Sequence, residues 1–110
     1  MFKSLLLSSI SVVSLIITFN LANATGGIYT TVRLYFACGT KTDIIKIMNY
    51  ARVKDQPAAE KLVNSGRCTI LKGGDEVQLM SSYTEDGMEY VEVRPMGQEV
   101  TIWTIRKGIE

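Results

Sequence analysis

The separation of Cys38 and Cys68 constrains this chain more than any other feature, because of the segment that precedes them. Lys3 is followed by an apolar run of 15 residues, Leu5 to Phe19, softened by serines. The run ends in Asn20-Leu21-Ala22-Asn23-Ala24, with small residues at the −3 and −1 positions of a cut after Ala24. This three-part pattern predicts a secretory signal peptide over residues 1–24 and a periplasmic or secreted mature chain. A spanning helix needs about 20 apolar residues, so no membrane span is expected after cleavage. No cysteine sits near the cut, which argues against a lipid anchor. A short, Lys-initiated signal ahead of a compact domain is a pattern of bacterial export. Two cysteines in an oxidising compartment predict one disulfide, Cys38–Cys68. Closing a loop of about 30 residues stabilises a chain by roughly 3–4 kcal/mol on the chain-entropy estimate. The pair lacks the C-x-x-C spacing that tunes a redox thiol.

Removing Met1 to Ala24 leaves 86 residues, enough for one small domain. The whole chain carries 12 Lys+Arg and 11 Asp+Glu; Lys3 leaves with the signal, so the mature chain has 11 of each. A neutral chain without a basic run argues against nucleic-acid binding, which needs excess Lys and Arg on one face. Hydrophobic content of 46% is enough to build a core. The chain has no histidine, which removes Ser-His-Asp and Cys-His catalysis and imidazole zinc sites. Carboxylates remain as acid–base groups: Asp75-Glu76, Glu85-Asp86, and Glu89 with Glu92. They fall in or near hairpin turns, where water keeps carboxylates ionised, whereas a general acid needs burial to raise its pKa. The acidic turns also lack the alternating oxygen ligands of a calcium loop. The expectation is a non-enzyme with no cofactor and no metal.

The mature chain opens with a period-two run, Ile28 to Ala37. Ile28, Thr30, Val32, Leu34 and Phe36 are expected on one face, with Tyr29, Thr31, Arg33 and Tyr35 on the other. Thr40 to Thr42 can cap a helix beginning near Asp43, with Ile44, Ile47, Met48 and Ala51 as its apolar stripe. Asp55 and Pro57 can start a second helix that buries Leu62 and Val63 and stops at Gly66, so the middle is expected to be two short helices or one kinked helix. From Arg67 onward, four strand-like segments are separated by turns at Lys72–Asp75, Thr84–Gly87 and Pro95–Gln98. The Asp86-Gly87 pair is a hairpin signal. In Met88 to Arg94, Val91 and Val93 are expected inward and Tyr90, Glu92 and Arg94 outward. The pattern predicts an α+β domain: a small, five-stranded, partly open antiparallel barrel with a helical insert between strands 1 and 2.

The stretch Ile70-Leu71-Lys72-Gly73-Gly74-Asp75-Glu76-Val77-Gln78-Leu79 resembles the middle of bacterial Src-homology-3-like domains, where a Leu-x-x-Gly turn leads into an alternating strand. Tyr90-Val91-Glu92-Val93-Arg94-Pro95-Met96-Gly97 is similar to that family's aromatic-x-x-Val-Arg strand and glycine turn, and Trp103 stands near its last-strand tryptophan. The resemblance covers Ile70 to about Ile105. It implies a binding module of the cell envelope, with wall glycan, wall peptide or an envelope protein as partner. Rigid aromatics with a hydroxyl are good anchors, and the expected ligand-binding residues are Tyr83, Tyr90 and Arg94. The alternative is an inhibitor or accessory protein that enters another protein's cleft with the Tyr83 to Met88 loop. Lys46, Arg52, Lys54, Lys61 and Arg67 cluster in the helical half, while acids concentrate from Asp75 to Glu99. That asymmetry can orient the domain on an anionic partner.

Overall fold

The computed structural model of the protein describes residues 26–110; the expected signal peptide and its cut lie outside the described residues. The strands are β1 (Ile28–Thr30), β2 (Phe36–Cys38), β3 (Cys68–Ile70), β4 (Glu76–Glu85), β5 (Met88–Pro95) and β6 (Ile102–Ile105). Two helices, α1 (Lys41–Arg52) and α2 (Gln56–Asn64), lie between β2 and β3, and a 3-10 turn, Arg106–Gly108, follows β6. The fold is α+β, with an open six-stranded sheet in the order β1-β4-β5-β6-β2-β3 and every pairing antiparallel. No helix among the described residues is long and apolar enough to cross a membrane.

The expected single first strand is two, which gives six strands instead of five and places the helices after the second. The run breaks at Leu34, whose φ is 73° and whose surface is 72% exposed. Its period of two is a local signal, but the partners along it change. Ile28–Thr30 pairs with β4, whereas Phe36–Cys38 pairs with β3 and β6. Between them Thr31 is clamped: its N–H donates to the Asp75 carbonyl at 2.8 Å, and its carbonyl accepts from the Gly74 N–H at 2.8 Å. The chain end returns to the same place. Thr30 and Glu110 exchange backbone hydrogen bonds of 2.8 and 2.9 Å, and Arg106 stacks 4.7 Å from the Tyr29 ring centroid.

Both faces of the sheet carry a core. On one, Val77, Val91, Val93 and Ile109 are buried, with Tyr29, Leu79 and Ile102 packed against them. On the other, Cys38, Cys68, Tyr90 and Ile105 pack with Ile44, Ile47, Ala59 and Leu62 of the helices. This second layer corrects the outward placement of Tyr90, which is only 2% exposed. Alternation separates the two faces of a strand but does not say whether both are covered. Tyr35 and Trp103, both half-buried, pack against this second cluster.

Local chemistry sets the helix ends. The Thr40 side chain accepts from the Asp43 N–H at 3.1 Å, and the Asp55 carboxylate accepts from the Ala58 N–H at 3.3 Å. Asp86 (φ 51°) and Gly87 (φ 79°) form the two-residue turn joining Glu85 to Met88 in register. Leu79 and Ser81 flank a β-bulge at Met80. Cys38 and Cys68 face each other in the β2–β3 register, their Cα atoms 4.0 Å apart, and are joined by a disulfide.

Two stability outcomes follow. Replacing both cysteines by alanine lowers unfolding free energy by about 3–4 kcal/mol, read as a shift in urea midpoint. Gly73 has φ +89°, and a Cβ there would lie 2.8 Å from the Arg33 backbone nitrogen, whereas Gly74 (φ +88°) has open space around it. Gly74→Ala is expected to cost about 1 kcal/mol from backbone strain, and Gly73→Ala at least about 2 kcal/mol because the clash adds.

Candidate functional site

The three residues expected to bind ligand do not form one accessible surface. Tyr90 lies beneath the helices, and burial pushes its phenol pKa up. Tyr83, opposite it on β4, is half-buried. Lys41 Nζ stands 4.0 Å from the Tyr83 ring centroid, and the Tyr83 hydroxyl donates to Glu85 Oε1 at 2.7 Å. That hydrogen bond to a carboxylate raises the Tyr83 pKa above its ordinary value. Arg94 is four residues further along β5 than Tyr90, about 13 Å away along the strand. It donates to Gln78 Oε1 at 2.8 Å and to the Gln98 carbonyl at 2.9 Å, tying down the turn after β5. Beside it Glu92 accepts from Ser81 at 2.9 Å and from Thr101 at 2.7 Å. These polar groups brace the sheet.

A better-formed concavity lies on the helices. A groove of about 520 Å³ runs between α1 and α2. Lys46 of α1, Lys61 of α2 and Arg67, which directly precedes β3, line it. Tyr50 adds a hydroxyl, and Pro57, Ala58 and Leu62 supply an apolar surface. No carboxylate is among the lining side chains. The groove belongs to a strongly polarised molecule. Residues 41–72 carry seven Lys and Arg against three Asp and Glu, while residues 75–99 carry one arginine against seven acids. Exposed charges of one sign on one face attract the opposite sign over roughly a Debye length, about 8 Å at physiological salt.

Arg67 is held from behind. Asp43, 4% exposed, accepts from Arg67 Nε at 3.1 Å and from Nη2 through its other oxygen. The hydrogen bond from Arg67 holds the Asp43 carboxyl below its usual pKa; the charges of Arg67 and Lys46 act the same way, against the opposing effect of burial. The Arg67 side chain is about half exposed, with its Nε and Nη2 held by the Asp43 carboxylate. Asp43 as a first-turn acid is readable from sequence, but its pairing with a residue 24 positions away is not. Lys46, Lys61 and Arg67 are visible as part of a cationic cluster; the packing of α1 against α2 and against the segment before β3 brings them to one groove and adds Tyr50.

The remaining clusters are structural. The disulfide takes both cysteines, leaving no free thiol. Among the described residues, no group of three or more His, Cys, Asp or Glu side chains could hold a metal ion. Comparison with protein-family models, curated proteins and solved structures finds no match to this chain. The chemistry of the groove follows from its own residues: it can bind anions.

The Asp43–Arg67 pair makes a pH-dependent contribution. Asp43 has a folded pKa below its unfolded value of 3.8, so its contribution is present above that value and is lost as pH falls through the folded pKa. Asp43→Asn is expected to lower stability by about 1–2 kcal/mol near neutral pH, the range for a charged hydrogen bond with one exposed partner. Thermal unfolding from pH 2 to 7 should show wild type and variant converging at the acid end.

Proposed function

We propose that this is an exported, non-enzymatic binding module that recognises an anionic component of the cell envelope through the groove between α1 and α2. The convergence of Lys46, Lys61 and Arg67 on one concave surface supports this reading most directly. The concentration of positive charge in the helical half adds steering toward an anionic surface. The resemblance of the Ile70 to Ile105 meander to bacterial Src-homology-3-like domains points to the same class of envelope-binding module. The signal-like N-terminus and the disulfide agree with a periplasmic or secreted location. On this reading the meander is the frame, and the ligand meets the helices, not Tyr83, Tyr90 and Arg94.

The test is retention of the oxidised mature domain on purified sacculi and envelope fractions. Wild type should co-sediment at low salt and be released as salt rises. The double variant Lys46→Glu with Lys61→Glu should bind about tenfold more weakly, since opposing charges of the same sign cost on the order of 1 kcal/mol or more. Circular dichroism checks that both fold alike. Absence of retention, with capture of a single stoichiometric protein partner instead, would move the assignment to an inhibitor or accessory protein that enters a cleft with the Tyr83 to Met88 loop.

A further inference from the structure

Resting on the anionic-ligand reading of the same groove, we infer that the group recognised is a phosphate ester and not a carboxylate. Three observations carry this. First, Arg67 is a preoriented fork. A guanidinium has five N–H donors, and the buried Asp43 engages Nε and one hydrogen of Nη2. The Nη1 edge and the other Nη2 hydrogen remain for a ligand, and the carboxylate behind them limits the entropy lost on binding. Second, the donors come from three separate segments around one groove: α1 supplies Lys46, α2 supplies Lys61, and the segment before β3 supplies Arg67. A tetrahedral phosphate presents oxygens on several sides and can meet all three, whereas a planar carboxylate offers two oxygens to one fork. Third, the neutral lining suits an ester. The Ser65 hydroxyl donates to the Leu62 carbonyl at 3.0 Å, so Tyr50 is the hydroxyl donor available, while Pro57 and Ala58 offer apolar contact to the carbon side of the ester.

The experiment is a backbone-amide NMR titration of the oxidised mature domain at constant ionic strength, with sn-glycerol 3-phosphate and with sodium acetate. Glycerol phosphate should give saturable shifts centred on Lys46, Tyr50, Lys61 and Arg67, at an apparent affinity at least about tenfold tighter than acetate. Arg67→Lys keeps the charge but loses the fork, and should weaken glycerol phosphate binding by about tenfold. Because Arg67 also supports the fold, Lys61→Gln is the second variant; it should weaken binding with the unfolding midpoint unchanged. Two further arms locate the source of the ester. Sedimentation with phosphatidylglycerol vesicles marks a lipid headgroup; competition by soluble poly(glycerol phosphate), without vesicle binding, marks a polymer. Equal responses to acetate and glycerol phosphate, or unsaturable shifts spread over all surface cations, overturn the inference. If they occur while envelope retention persists, only the phosphate assignment fails. If glycerol phosphate binds at the groove but the envelope fractions are not retained, the envelope reading fails and the phosphate site stands.

Discussion

Closure of one loop by the Cys38–Cys68 disulfide is the constraint on which the rest of the structure hangs. The loop spans 30 positions and contains the whole helical layer. Neither helix is long enough to hold itself: α1 has 12 residues and α2 has 9, near or below the length at which isolated helices are marginal in water. The flanking strands β2 and β3 have three residues each, too few to be stable as a free hairpin. The covalent link holds those strands in register, and the register sets where the helices enter and leave the sheet. The helices then cover Tyr90 and Ile105, burying the cysteines with them.

The same constraint reaches the groove. Arg67 precedes Cys68, and the Gly39 N–H donates to its carbonyl at 3.2 Å beside the disulfide. The backbone that carries Arg67 is therefore anchored, and its side chain meets Asp43 in the first turn of α1. A cross-link, a ladder hydrogen bond and an ion pair fix this guanidinium at the mouth of a cationic groove. The sheet half is built for rigidity: Arg94, Glu92, Gln78 and Thr101 hydrogen-bond one another or neighbouring backbone across β4, β5 and the chain before β6. Division of labour between a braced acidic frame and a cationic helical face accounts for a chain with a net charge of only +1 that is nonetheless strongly polarised.

Legibility varied from residue to residue for physical reasons. Thr40, Asp55, Gly66 and the Asp86-Gly87 turn were readable because caps and tight turns are satisfied within four or five residues. The helical stripe of Ile44, Ile47 and Leu62 was readable because one face of a short helix must be buried. The burial of Tyr90 is not legible, because its strand alternates cleanly whether the face is covered or uncovered. The break at Leu34 is not legible either, because the period of two continues through it although its backbone turns left-handed. Of the groove, the cations were legible as a cluster, but their convergence and the partner of Arg67 were not.

The sequence by itself determined the local vocabulary of this protein: strand and helix types, turn positions, the even cysteine pair, and the separation of positive from negative charge. These depend on side-chain chemistry and on spacings of a few residues. The tertiary structure alone decided where the first run breaks, that both faces of the sheet are covered, and that Asp43 meets Arg67 behind a groove. Each of those outcomes depends on contacts between segments tens of residues apart, and no periodicity along the chain records which segments meet.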